Sequence, residues 1–93
     1  MIFAIIGHDG PDGQEKRKVH RQAHLDRMTV LDKAGQVILA GPFTDKTGSL
    51  IVIDMPSLEE ARAFVENDPY VTKGIFARYE IHPFTQVFPK GTT

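Results

Sequence analysis

Apolar side chains take both sides of the first segment. Ile2, Ala4 and Ile6 face one way and Phe3 and Ile5 the other, which predicts a strand over residues 2–8. The turn formers Asp9-Gly10-Pro11-Asp12-Gly13 end it. From about Gln14 to Ala34 the period becomes helical. Val19, Ala23, Val30 and Ala34 form one stripe, broadened on one side by His24, Leu31 and Met28, and Gly35 follows as a stop. Val37-Ile38-Leu39-Ala40 reads as a second strand running into Gly41-Pro42-Phe43. Residues 44–48 read as a hairpin loop and residues 49–54 as a third strand. Ser57 with Glu60 three positions on is a capping box. It opens a second helix with Leu58, Ala61, Phe64 and Val65 on one face, ending near Asn67 because Pro69 disfavours helix at Asp68. Residues 74–84 contain a fourth strand. Val87-Phe88 offers a short fifth pairing before a loose tail, Gly91-Thr92-Thr93.

The order is β-α-β-β-α-β. It predicts an α+β, ferredoxin-like fold, an antiparallel sheet with two helices on one face. Two helices cover only one face, yet the first three strands are apolar on both. An open antiparallel face normally alternates with polar residues, so the second face predicts a covering partner. A symmetric homodimer packed sheet to sheet is the simplest solution. The rival explanation is a twisted sheet that tolerates some exposed Val and Ile.

At 93 residues the chain reads as one domain, 1–93. Apolar content of 41% and charged content of 25% are ordinary for a globular protein and argue against disorder. A net charge of −1 gives no field that recommends nucleic acid or an anionic membrane as partner. Absence of cysteine excludes disulfides and thiol chemistry and fits a cytoplasmic location. No signal peptide or membrane-spanning run is recognisable.

His24 is the main chemical candidate. It sits on the border of the helix face that should meet the sheet, beside Met28 and Leu31. A histidine oriented by a carboxylate in a mostly apolar pocket transfers protons; the bland alternative is a histidine satisfied by a backbone carbonyl. Asp68 is its natural partner, or else only the cap of the Pro69 turn; Asp45 is the other carboxylate within conceivable reach. His20 and His24 have metal-ligand spacing, but no third ligand or HExxH motif accompanies them, so no metal is expected. Arg21 is a candidate for binding an anionic substrate, whereas Arg17 and Arg27 read as solvated helix charge balanced by Glu15 and Asp26. Tyr70 and Phe43 read as pocket-lining aromatics and Ser49 as a substrate-side hydroxyl. His8 could enter the pocket from the end of the first strand, and His82 reads as a cross-strand partner. The glycines lack the spacing of a phosphate loop, and Ser49 has no nucleophile-elbow context.

Glu15-Lys16-Arg17, Arg21, His24-Leu25 and Met28, then Ala40-Gly41-Pro42, Thr47-Gly48-Ser49, Asp68-Pro69-Tyr70-Val71, Gly74 and Pro83-Phe84 resemble, in order, the YciI-like (YCII-related) family. The resemblance spans nearly the whole chain. It implies a ferredoxin-like fold of the dimeric α/β barrel type and a site centred on a histidine and an aspartate, carried here by His24 and Asp68. It also implies proton-transfer chemistry on small ring compounds, through relatives resembling muconolactone isomerases and relatives that dehydrochlorinate aromatic intermediates. The chain departs from the pattern in a shorter loop after Pro42 and in His20, where an apolar residue is usual. The combined expectation is a small dimeric enzyme. His24 and Asp68 would drive isomerisation or elimination on a ring or lactone-like substrate without a cofactor. The alternative is a non-catalytic small-molecule-binding or interaction module, and the sequence leaves that choice open.

Overall fold

The computed structural model describes residues 1–90. Its elements are β1 (Ile2–Asp9), α1 (Gly13–Lys33), β2 (Val37–Pro42), β3 (Gly48–Asp54), α2 (Leu58–Glu66), α3 (Pro69–Thr72) and β4 (Phe76–Phe84). The strands form one sheet in the order β2-β3-β1-β4, and each neighbouring pair is antiparallel. Phe3 and Ile5 of β1 and Ile51 and Ile53 of β3 share a buried cluster with Met28 and Leu31 of α1 and Ala61 and Val65 of α2. Both long helices therefore cover the same face. Each large side chain so buried contributes about 1.5–3 kcal/mol. The architecture is ferredoxin-like, of the dimeric α/β barrel type.

Local signals set the ends of the elements. The Ser57 hydroxyl accepts from the Glu60 N–H at 3.2 Å, opening α2. Past α1, Gly35 adopts φ +75, its N–H reaches the Asp32 carbonyl, and the Gln36 N–H reaches the Leu31 carbonyl. That paired closure needs the left-handed conformation glycine supplies at no steric cost. Between β1 and β3 a β-carbon at Gly48 would collide with the Gly7 carbonyl. Only glycine lets the two strands close there, at the end of the sheet where the candidate site lies.

Two expectations are corrected and a third is extended. The stripe Val19, Ala23, Val30 and Ala34 faces solvent, with Val19 and Val30 exposed at 75% and 71%. The inward line of α1 is Gly13, His24, Met28 and Leu31, the last three being the residues expected at the border of that stripe, with Arg17 nearly covered at the same side. This line is polar in its first half and apolar in its second, so a purely apolar stripe points one residue, or about 100°, away from it. Residues 85–88 form no strand, so Val87 and Phe88 add no fifth pairing; the Gln86 side chain instead donates to the Phe88 carbonyl at 3.1 Å. Third, the Asp68-Pro69 turn is the start of a further helical turn, α3, with Asp68 as N-cap and Pro69 in its first turn. The expected tail at residues 91–93 lies outside the described residues.

The second sheet face carries Ile2, Ala4 and Ile6 of β1 beside Leu50 and Val52 of β3. Among the described residues no helix covers it, and Leu39 and Phe84 are about half exposed there. Among the described residues no helix is long and apolar enough to cross a membrane.

The helix orientation is open to a direct test. Leu31→Ala should cost about 2–5 kcal/mol as a core truncation, whereas Val30→Ala should stay within about 0.5 kcal/mol. Urea denaturation of both variants measures the difference, and equal losses would contradict the rotation of α1 described here.

Candidate active site

His24 comes from the middle of α1 and Asp68 from the junction of α2 and α3. Residue 68 precedes a proline, which holds its backbone extended at φ −74 and ψ 141. That conformation turns the carboxylate back over α3, where Oδ2 accepts the Tyr70 N–H at 3.0 Å. The same oxygen meets His24 Nδ1 at 2.8 Å. Oδ1 accepts from Arg27 Nη1 at 2.8 Å, and Arg27 also donates to the Phe64 carbonyl while its guanidinium lies over the Phe64 ring. Asp68 thus caps the turn and engages the imidazole with a single group. His24 meets this carboxylate, not a backbone carbonyl.

Burial works to raise the Asp68 carboxyl, but the hydrogen bond and charge of His24, the Tyr70 N–H and Arg27 outweigh it, leaving the group below the ordinary carboxylate value. An ionised carboxylate has no proton to give. Nδ1 of His24 is therefore the donor, and in the neutral ring the lone pair sits on Nε2. Nε2 has no hydrogen bond among the described residues. The imidazole also lies flat on the Tyr70 ring, with centroids 4.0 Å apart and planes 9° from parallel. Tyr70 in turn packs edge-on against Phe76, and burial pushes its hydroxyl pKa up.

A second ion pair lies beside the first. Arg17 grips Asp9 through Nε and Nη2, both at 2.8 Å, and the two side chains are 14% and 5% exposed. Nη2 also donates to Ser49 Oγ at 3.1 Å, and the guanidinium lies 5.0 Å from the Tyr70 ring centroid. The hydrogen bond to Asp9 holds the Arg17 pKa above its ordinary value despite the opposing effect of burial. Arg17 and Arg27 are therefore partly buried structural cations, not solvated helix charge; Glu15 pairs with Lys18 and Asp26 accepts from Gln22. Asp9 was missed because it stands in a run of turn formers. Its signal was the sharp reversal that returns the chain to the end of β1, bringing positions 9 and 17 together.

The other candidates separate cleanly. Ser49 is buried, and Arg21 and Phe43 line the same cleft as His24 and Tyr70. Asp45 turns onto its own loop, accepting from the Thr47 N–H and hydroxyl; the hydroxyl's hydrogen bond is the main cause of its lowered pKa. It does not reach His24. His8 points to the open sheet face, with Nε2 2.5 Å from Glu80 Oε2, and does not enter the cleft. His82 hydrogen-bonds Glu80 on its own strand at 3.1 Å, although its backbone register partner is Ala4 of β1. Among the described residues no group of three His, Cys, Asp or Glu side chains is arranged to hold a metal.

The cleft lies between α1 and the β2–β3 hairpin, with a volume of about 1110 Å³. Met28, Leu25 and Ile51 supply apolar wall, while His24, Arg21 and Ser49 supply polar groups. A few convergent polar groups in an apolar concavity are the usual form of a small-molecule site. Asp68→Asn removes the one charge that answers both His24 and Arg27 and should cost about 3 kcal/mol near neutral pH. The folded pKa of Asp68 is depressed, so its contribution is complete above about pH 4, the unfolded carboxylate value, and is lost as pH falls through the folded value. Denaturation midpoints of wild type and Asp68→Asn should accordingly converge below about pH 4; a gap independent of pH would contradict the assignment.

Comparison with known proteins agrees with this architecture. A YCII-related domain model matches residues 1–85. Protein YciI of Escherichia coli O6:H1 is 35% identical over 98 aligned residues, covering 95% of this chain and all of that protein. An uncharacterized protein of Haemophilus influenzae is 32% identical with the same coverage. Among solved structures, the 5-chloro-2-hydroxyhydroquinone dehydrochlorinase TftG of Burkholderia phenoliruptrix AC1100, in complex with 2,5-dihydroxybenzoquinone, superposes with a TM-score of 0.84. It is 28% identical, and the match covers 92% of this chain and 95% of that one. The chain belongs to the YCII-related domain family.

Proposed function

We propose that the protein is a small enzyme in which His24 and Asp68 carry out general acid–base proton transfer on a ring compound, by elimination or isomerisation. The observation that carries this reading is the buried Nδ1–Asp68 hydrogen bond, which leaves a basic Nε2 beside a cleft. In an elimination, Nε2 takes a proton from the ring substrate. The electron pair moves through the conjugated frame and expels the leaving group as its anion, chloride in the case of a chlorinated ring. Asp68 balances the imidazolium until it gives the proton to water. No electron is gained or lost overall, so the step needs no redox cofactor. The dehydrochlorinase TftG, similar in fold and sequence, supports this reaction class. Tyr70 would keep the imidazole in plane, and Arg21, Ser49 and Phe43 would contact the substrate.

We also infer that the protein works as a homodimer joined through the open sheet face, in the cytoplasm. The half-exposed Leu39 and Phe84 on that face support the dimer. Light scattering at micromolar concentration should report twice the chain mass; a monomer there would remove the argument.

Chloride release from 5-chloro-2-hydroxyhydroquinone is the first assay to run. His24→Ala should lower turnover by about 10²–10⁴-fold while circular dichroism stays native. Full turnover in that variant would remove His24 from the mechanism. Binding of the ring by the wild type without any turnover would favour a binding module instead.

A further inference from the structure

The Ser49 hydroxyl has an unspent proton. Its oxygen accepts from Arg17 Nη2 at 3.1 Å, and a guanidinium only donates. The hydroxyl hydrogen must therefore point elsewhere, and no acceptor for it is present among the described residues. Ser49 is only 4% exposed, and the cleft is the open space it borders. The side chain lies on the helix-facing side of β3, opposite Gly7 in register, and borders the cleft. The Arg17–Asp9 pair fixes the oxygen in place, and its cation polarises the O–H toward a stronger donor.

The charge around the cleft has the same sense. Arg21 and Lys46 border it and have no ion-pair partner among the described residues, while the one acidic side chain on its lining is Asp32. Asp32 stands near the far end of α1, two turns beyond His24. The Asp68 and Asp9 charges are already taken up by His24, Arg27 and Arg17. In a chain with a net charge of −1, this concavity is locally cationic.

We infer that the cleft selects a ligand with an anionic oxygen on a planar ring. The Ser49 hydroxyl donates to that oxygen, and Arg21 supplies the neutralising charge. The inference deepens the functional reading above and rests on this cleft being the ligand site. It assigns Ser49 and Arg21 to charge recognition, apart from the proton transfer assigned to His24. Arg17 acts through Ser49 and is a positioning residue.

Calorimetric titration with two quinones tests it. 2,5-Dihydroxybenzoquinone is a vinylogous acid and anionic at neutral pH, whereas 2,5-dimethoxybenzoquinone keeps the ring and is neutral. Wild type should bind the dihydroxy ring at least tenfold more tightly. Ser49→Ala and Arg21→Gln should each reduce that preference by roughly tenfold or more, the scale of one charge-assisted hydrogen bond, with a clearly smaller loss for the dimethoxy ring. Equal wild-type affinities, no binding of the dihydroxy ring, or variants that weaken both rings alike would overturn the inference. Repeating the titration with His24→Asn separates it from the proposed reaction. A retained preference with turnover lost supports both readings, and a retained preference with turnover intact removes only the proposed mechanism.

Discussion

Burying a carboxylate is unfavourable unless its oxygens are matched by donors, and Asp68, with its side chain 7% exposed, meets that condition with three donors from two helices. His24 and Arg27 come from α1, and the Tyr70 N–H comes from α3. Arg27 also reaches the last turn of α2 through the Phe64 carbonyl. The carboxylate thereby ties α1 to the α2–α3 junction. It also sets which imidazole nitrogen is protonated, and it holds the ring where Tyr70 can stack on it. The local order of the site follows from this one anion being satisfied.

The Arg17–Asp9 pair does the corresponding job nearer the N-terminus of α1. Together the two ion pairs divide that helix. Its first half turns Arg17 and His24 inward, over the cleft end of the sheet, and its second half turns Met28 and Leu31 inward, over the apolar core. One helix thus packs apolar core at one end and lines the cleft with ion-paired side chains at the other. Tyr70 joins the two pairs, since it stacks on His24 and lies near the Arg17 guanidinium.

The two faces of the sheet follow different rules. The helix-covered face is dry and apolar at its centre, with polar side chains where α1 passes Ser49. The other face mixes apolar residues with a charged group at one end, where His8, Arg78 and His82 surround Glu80. The hydrogen bond from His8, followed by that from His82, holds the Glu80 carboxyl below its ordinary value. These charges keep one end of the open face polar while Leu39 and Phe84 leave the rest of it apolar.

The main element order and the ferredoxin-like class are legible along the chain, because strand alternation, glycine stops and the Ser57 capping box act over a few residues, whereas His24 stood out only through the resemblance to the YCII-related family. The helix boundaries came within a residue or two for the same reason, with α1 beginning at Gly13 where about Gln14 was expected. What acts over long separations is only partly legible: Asp68 could be named as a partner for His24, but the partners of Arg17 and Arg27 could not. The inward line of α1 carries an arginine and a histidine, so apolar periodicity centred the face on the solvent-facing valines and left His24, Met28 and Leu31 at its border. Arg17 and Arg27 resembled ordinary helix charge until Asp9 and Asp68 were brought against them, and Asp68 could be read as a cap or as a partner until folding made it both. Which donor answers which buried charge is set by strand order and helix docking, not by spacing along the chain.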